Sequence, residues 1–206
     1  MRVLLKKGLL ILAPDTATER AELAAWKRTA IGHVFAPQAK AGNGLALGDL
    51  GVKEDACREP INIHSRSTHP AGRLISNFAE TSFTLDGRDY RTVEGFWQGL
   101  KFETEADRRR VAPLSGLQAR KVGQAQPYGS TVTYDGRAVV VGTWDHWKLM
   151  ERACRAKFEQ HLEARAALLS TGDRPLEHRM RRDSSAIPGA IMAEIWMRIR
   201  KELRES

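Results

Sequence analysis

The sequence predicts an α+β fold, predominantly helical: a single domain with short strands over residues 61–206, preceded by an α/β extension over residues 1–60. Three observations predict it. Among 206 residues, 42% are hydrophobic and five are tryptophan, enough apolar surface to bury a core and exclude disorder. Asp86-Gly87 lies between Ser82-Phe83-Thr84-Leu85 and Arg88-Asp89-Tyr90, the pattern of a tight hairpin. Beyond Tyr90 the apolar residues recur at helical spacing, in segments near 92–102, 104–111, 114–124, 144–169 and 188–204.

The extension reads as strand, helix, strand. Val3 to Leu12 is apolar but interrupted by Lys6 and Lys7. It is too short to span a membrane and lacks a small-residue cleavage site, so it reads as a strand or hairpin over 2–13 rather than a signal peptide. Asp15-Thr16-Ala17-Thr18-Glu19 starts a helix that runs to about Thr29, with Ala21, Leu23, Ala24 and Trp26 on its apolar side. A short strand at His33-Val34-Phe35 leads into a loop rich in Gly, Ala and Lys. Within that loop Gly42-Asn43-Gly44-Leu45-Ala46-Leu47-Gly48 resembles a dinucleotide loop only superficially, since its third glycine is displaced by one residue and no βαβ pattern surrounds it.

From residue 61 the expected order is a strand at Ile61-Asn62-Ile63-His64, a polar loop from Ser65 to Arg73, the segment Leu74-Ile75-Ser76-Asn77-Phe78, and the hairpin. The helix that follows carries the densest chemistry. At about 100° per residue, Glu94, Gln98 and Lys101 share one narrow stripe flanked by Trp97, while Val93, Phe96 and Leu100 make the apolar face. Thr92 suits the N-cap, which places Glu94 in the first turn. Gly95 and Gly99 each cost about 1 kcal/mol relative to alanine in a helix interior, and so predict close approach of another backbone or a ligand. Pro188-Gly189 opens the last helix, whose Ile191, Ile195, Ile199 and Leu203 repeat every four residues.

A balance of 33 Lys+Arg against 25 Asp+Glu gives a net charge of +8, which favours polyanionic partners. Arg179, Arg181 and Arg182 form a candidate nucleic-acid rim beside Asp183, and Arg108-Arg109-Arg110 is a second basic run. Cys57 and Cys154 have no C-x-x-C spacing, which predicts a reduced, cytoplasmic protein. The six histidines are scattered without zinc spacing, so neither a metal nor a cofactor is expected.

The order Leu74-Ile75-Ser76-Asn77-Phe78, Leu85-Asp86-Gly87 and Glu94-Gly95-Phe96-Trp97-Gln98-Gly99-Leu100-Lys101-Phe102 resembles the NADAR domain, with its S-N-F element, D-G turn and E-x-x-x-Q-x-x-K-F helix. Lys157-Phe158-Glu159-Gln160, Leu168-Leu169-Ser170-Thr171-Gly172 and Leu176-Glu177-His178 resemble later segments of the same family, so the likeness runs from about Ile61 to Leu203. The resemblance implies a mainly helical N-glycosidase that cleaves ribose from an exocyclic base amine. Family members are associated with riboflavin-pathway glycosylamines and with ADP-ribose on guanine. One departure is plain: the family follows its acidic residue with W-G-x-G, whereas Asp183 precedes Ser184-Ser185-Ala186-Ile187-Pro188-Gly189.

On that resemblance Lys101, Glu94 and Asp183 are the expected catalytic residues, converging on one pocket. Ser76, Asn77, Phe78, Trp97, Gln98, Trp144 and Arg66 are the expected substrate-binding residues. Trp144 competes with His146 and Trp147 for the stacking position, and Arg73 is a further candidate for a phosphate. Two routes are open: Lys101 attacks a ring-opened ribose to form a Schiff base, or a carboxylate activates water against an oxocarbenium-like centre while Lys101 holds a hydroxyl or phosphate. The implied substrate is ADP-ribose on guanine in DNA or RNA, with an antitoxin role against a cognate ADP-ribosyltransferase, or alternatively a phosphoribosylamino-pyrimidine. A non-catalytic ADP-ribose or nucleic-acid binding module is the third expectation. No membrane partner is expected.

Overall fold

A computed structural model describes residues 1–6, 9–30, 33–38, 46–52, 59–180 and 184–205, with side chains undescribed at 4–11 and 27–58. The chain divides into two compact units, residues 1–58 and 59–206. In the first, β1 (Arg2–Lys6) pairs antiparallel with β2 (Leu9–Ala13), with Leu5 opposite Leu10. Helix α1 (Ala17–Ala30) follows, then an antiparallel pair of β3 (His33–Gln38) and β4 (Ala46–Val52). Strand β4 replaces part of the expected loop, and Gly42 to Gly44 lie outside the described residues. The expected apolar side of α1 is mostly exposed: Trp26 is 44% exposed and only Leu23 is half-buried. A unit this small has little interior to offer.

The second unit opens with β5 (Ile61–Asn62) and α2 (Pro70–Ile75). The expected polar loop therefore ends in a helical turn, for which Pro70 is preorganised at the first position. Strands β6 (Phe83–Leu85) and β7 (Arg88–Tyr90) form the expected hairpin, with Asp86 and Gly87 at φ 51° and 72°. Next come α3 (Val93–Gly99), α4 (Glu105–Val111) and α5 (Gly116–Gln124). A second hairpin, β8 (Thr131–Tyr134) and β9 (Arg137–Val140), turns on Asp135-Gly136 in the same left-handed conformation.

The expected helix over 144–169 is two, α6 (Trp144–Gln160) and α7 (Leu162–Leu169). His161 separates them, leaving helical dihedrals while its ring accepts a hydrogen bond from Ala164 N–H to cap α7. Strand β10 (Leu176–Glu177) runs parallel to β5, bringing the late segment back beside the start of the unit, and α8 (Gly189–Glu205) closes the chain. This is an α+β arrangement dominated by helices, as the sequence predicts. Along α8, Ile195, Trp196 and Ile199 are fully buried against a core that includes Ile75, Phe96, Met150 and Phe158. Each such side chain contributes about 1.5–3 kcal/mol on burial. A chain of rings, Phe83, Tyr90, Phe96 and Tyr134, at centroid separations of 5.5, 5.3 and 5.9 Å, fixes α3 against both hairpins.

Candidate active site

Helix α3 is held at its start by two bonds. Thr92 caps it, its hydroxyl accepting from Gly95 N–H at 2.9 Å, and the Asn77 carbonyl accepts from Glu94 N–H at 2.9 Å. The Ser76-Asn77-Phe78 turn and the first turn of α3 are thereby one structural piece. Gly95 shows the expected backbone approach: a Cβ there would lie 3.1 Å from the Ala112 carbonyl oxygen. A Cβ at Gly99 would meet nothing within 4 Å, so that glycine borders open space. The helix ends at Gly99, earlier than its apolar pattern suggests, and Lys101 N–H reaches only to the Gln98 carbonyl (3.3 Å) on a final tighter turn.

Glu94, Gln98 and Lys101 come together beneath α5. The buried Glu94 carboxyl accepts from Gln98 Nε2 at 2.8 Å. Burial pushes its pKa up, opposed by the Gln98 hydrogen bond and by the charges of Arg120 and Lys101. Gln98 Oε1 makes no hydrogen bond to a described residue. It lies so close to α5 that a Cβ at Gly123 would sit 1.9 Å from it. Lys101 Nζ donates to the Gly123 carbonyl at 2.6 Å and stands 4.8 Å from the Tyr128 ring centroid. Burial lowers the pKa of this half-buried amine below 10.5, while Glu94 pulls the other way.

An aromatic wall backs the cluster. Trp97 lies 4.4 Å from the His146 ring centroid and 6.0 Å from that of Tyr128, whose hydroxyl donates to the Trp97 carbonyl at 3.2 Å. Burial, with a smaller contribution from Glu94, raises the Tyr128 phenol, which stays neutral. His146 is fully buried and pulled down to about 4 by burial, against a smaller upward pull from the Ala186 backbone. Its Nδ1 accepts from Gly142 N–H at 3.2 Å, so the ring is a neutral imidazole with its proton on Nε2. The site thus combines a raised carboxyl, a depressed amine and neutral rings. Such an environment suits proton donation by Glu94 and nucleophilic attack by Lys101.

The other expected residues fall in several places. Lys157, fully buried, donates to the carbonyls of Leu74, Ile75 and Ser76 at 2.8, 3.0 and 2.9 Å. The carbonyls of Leu74 and Ile75 are orphan acceptors at the end of α2, and that of Ser76 also accepts from Ala79 N–H at 3.0 Å, so the amine closes the helix and fixes the turn that leads to Asn77. The Asn77 amide itself sits among sulfurs: Nδ2 is 3.6 Å from Met150 Sδ and the Cys154 thiol is 3.8 Å from Oδ1. Phe78 is half-buried beneath Arg120, at 5.8 Å from guanidinium to ring centroid. Of the three α6 candidates for stacking, His146 is the ring against Trp97. Trp144 packs edge-on to Trp147 and carries the Arg198 guanidinium at 5.3 Å.

Arg66 is exposed, and Arg73 is committed to the Ser67 carbonyl at 2.7 Å. Arg179 pairs with Glu177 at 2.6 Å and lines a separate cleft of about 430 Å³ with Asn62, His69 and Arg174. Arg108 donates to the carbonyls of Phe102 and Thr133, while Arg109 and Arg110 pair with Glu105 and Asp107. Arg181, Arg182 and Asp183 lie outside the described residues. Sequence reasoning missed Gly123, Tyr128, Arg120 and Lys157 as parts of this region, and weighed His146 only as an alternative to Trp144. One signal was available: Gly116 and Gly123 stand seven apart, on one face of α5.

A family model described as bacteriophage protein GP30.3 matches residues 68–194. The chain is 34% identical over 122 residues to N-glycosidase YbiA of Escherichia coli (strain K12), covering 57% of this chain and 69% of that relative. It is 41% identical over 65 residues to an uncharacterized 17.1 kDa protein in the Gp30–rIII intergenic region of Enterobacteria phage T4, covering 32% of this chain and 42% of the phage protein. The NMR structure of E. coli YbiA superposes with a TM-score of 0.53 at 25% identity, covering 72% of this chain and 88% of that one.

Proposed function

The chain belongs to the NADAR family and is a hydrolase of the N-glycosidase class, and on that premise we propose that it cleaves the bond between ribose C1 and an exocyclic base amine, removing ADP-ribose from guanine in nucleic acid. The observation that carries the chemistry is the pairing of a depressed amine at Lys101 with a raised carboxyl at Glu94 across Gln98 and Gly123. An exocyclic nitrogen donates its lone pair to C1, opening the ribose ring as an imine. The neutral amine of Lys101 adds to C1. The base amine then leaves, taking a proton from Glu94, and a Schiff base remains on Lys101. Water adds to that imine and releases the sugar and the free amine.

Glu94 can serve this step because burial keeps its proton available at higher pH than an ordinary carboxyl. Lys101 can serve it because burial lowers its pKa, easing loss of the proton that blocks attack. Asp183 supplies the second proton transfer in this reading, to the ring oxygen as it opens. The net charge of +8 supports a polyanionic substrate. The test sets an ADP-ribosylated guanine oligonucleotide against a phosphoribosylamino-pyrimidine, with product masses as the readout. Restoration of the unmodified oligonucleotide at the higher kcat/KM is expected. Turnover of the pyrimidine alone would assign the metabolic substrate, and turnover of neither would leave a binding module.

A further inference from the structure

Helix α5 lies against Phe78 and Gln98 through two glycines on one face. A Cβ at Gly116 would sit 2.6 Å from Phe78 Cα, and one at Gly123 would collide with the Gln98 side chain. Arg120 is four residues after the first glycine and three before the second, so it stands on that same face, between the two close contacts. Its guanidinium is 5.8 Å from the Phe78 ring centroid and close enough to Glu94 to bias that carboxyl. Yet it makes no hydrogen bond or ion pair with any described residue, although it is only half-exposed. The other arginines proposed for phosphate are differently placed: Arg73 is held through one nitrogen by the Ser67 carbonyl, Arg179 is paired, and Arg66 is out in solvent.

A guanidinium placed over a phenyl ring keeps its five donors free for an anion, and its weak hydration lowers the cost of meeting a phosphate there. Taking the N-glycosidase reading above as given, we infer that Arg120, over Phe78 at the edge of the Glu94–Lys101 cluster, is the residue that grips the phosphate ester carried by the ribose of the substrate. Ribose C1 is then presented to Lys101 by an anchor on the opposite helix. Phe78 takes on a new role in this arrangement, as the ring over which the guanidinium rests.

Binding of ADP-ribose, measured by calorimetry, tests the assignment without requiring turnover. Arg120→Gln should weaken ADP-ribose affinity roughly 10- to 100-fold, the loss of a charge-assisted hydrogen-bonding pair, and should leave the unfolding midpoint unchanged. Lys121→Gln, at an exposed neighbour on the same helix, removes the same charge and should shift affinity less than about threefold. Wild-type affinity in Arg120→Gln, equal losses in both variants, or a wild type that binds no ADP-ribose would each overturn the assignment. Should Arg120→Gln lower the midpoint, Arg120→Lys decides: partial recovery of affinity supports the phosphate role, and recovery of stability alone refutes it. A wild type that binds ADP-ribose through Arg120 but turns over no glycosylamine sinks the enzymatic reading and spares this one. An active wild type whose Arg120→Gln variant keeps full affinity does the reverse.

Discussion

Lys101 and Lys157 are lysines of one domain, both drawn out of water, and they differ in how their donors are met. Lys157 has three N–H groups and three carbonyl acceptors, from Leu74, Ile75 and Ser76, with no exposed surface. Lys101 has one described acceptor, the Gly123 carbonyl, and remains half-exposed beside Tyr128. Saturation makes the first amine a structural clamp. Partial satisfaction makes the second available to a substrate. A depressed pKa alone does not separate the two, since burial lowers both, Lys157 to about 7; what separates them is where the donors go.

The largest effect on that contrast should come from Lys157→Met, which keeps the volume and strands the carbonyls of Leu74 and Ile75. Loss of about 3 kcal/mol in denaturant unfolding is expected. A pH signature should accompany it. The unfolded lysine holds its proton to about 10.5 and the folded one to about 7. Between those values the unfolded state binds more protons, so wild-type stability rises with pH through that window. In Lys157→Met the rise should flatten. Unchanged stability with lost turnover would reverse the roles assigned to the two lysines.

Gly123→Ala should act more gently, at the shared contact of Gln98 and Lys101. Its methyl would collide with Gln98 from Oε1 through Cβ, whose atoms lie 1.9 to 2.9 Å from the added carbon. Overpacking of this kind costs about 1–3 kcal/mol. Alanine returns about 1 kcal/mol of helix propensity, so a net destabilisation of roughly 1 kcal/mol is expected, together with reduced turnover because Gln98 and the Gly123 carbonyl both shift. A variant with wild-type stability and activity would mean that α5 has room to move, and that the amine is not positioned by it.

Much of this was legible from local pattern. Asp86-Gly87 announced its hairpin, Thr92 announced the start of α3, and the stripe of Glu94, Gln98 and Lys101 anticipated a cluster on one side of that helix. Asp135-Gly136 carries the same turn signal as Asp86-Gly87 and still escaped notice, because the flanking Thr131 to Val140 is short and its β9 half is mostly exposed. What sequence could not supply was partnership across the fold. Lys157 lies more than 80 residues from the carbonyls it closes, and His146 reaches Trp97 only because α6 crosses α3. Arg120 looked like one basic residue among many; its place between two glycine contacts, with no hydrogen-bond or ion-pair partner among the described residues, appears only in three dimensions.

Reductive trapping during turnover tests the central claim most directly. Borohydride added to wild-type protein with an ADP-ribosylated guanine oligonucleotide should convert the Schiff base to a stable amine, and peptide mass analysis should place the sugar on Lys101 and not on Lys157. Lys101→Arg keeps the charge but offers no neutral amine at ordinary pH, so it should trap nothing and lose on the order of 10³-fold or more in kcat. An active Lys101→Arg protein with no adduct on the wild type would contradict the account, and would leave a carboxylate acting on water as the source of the hydrolysis.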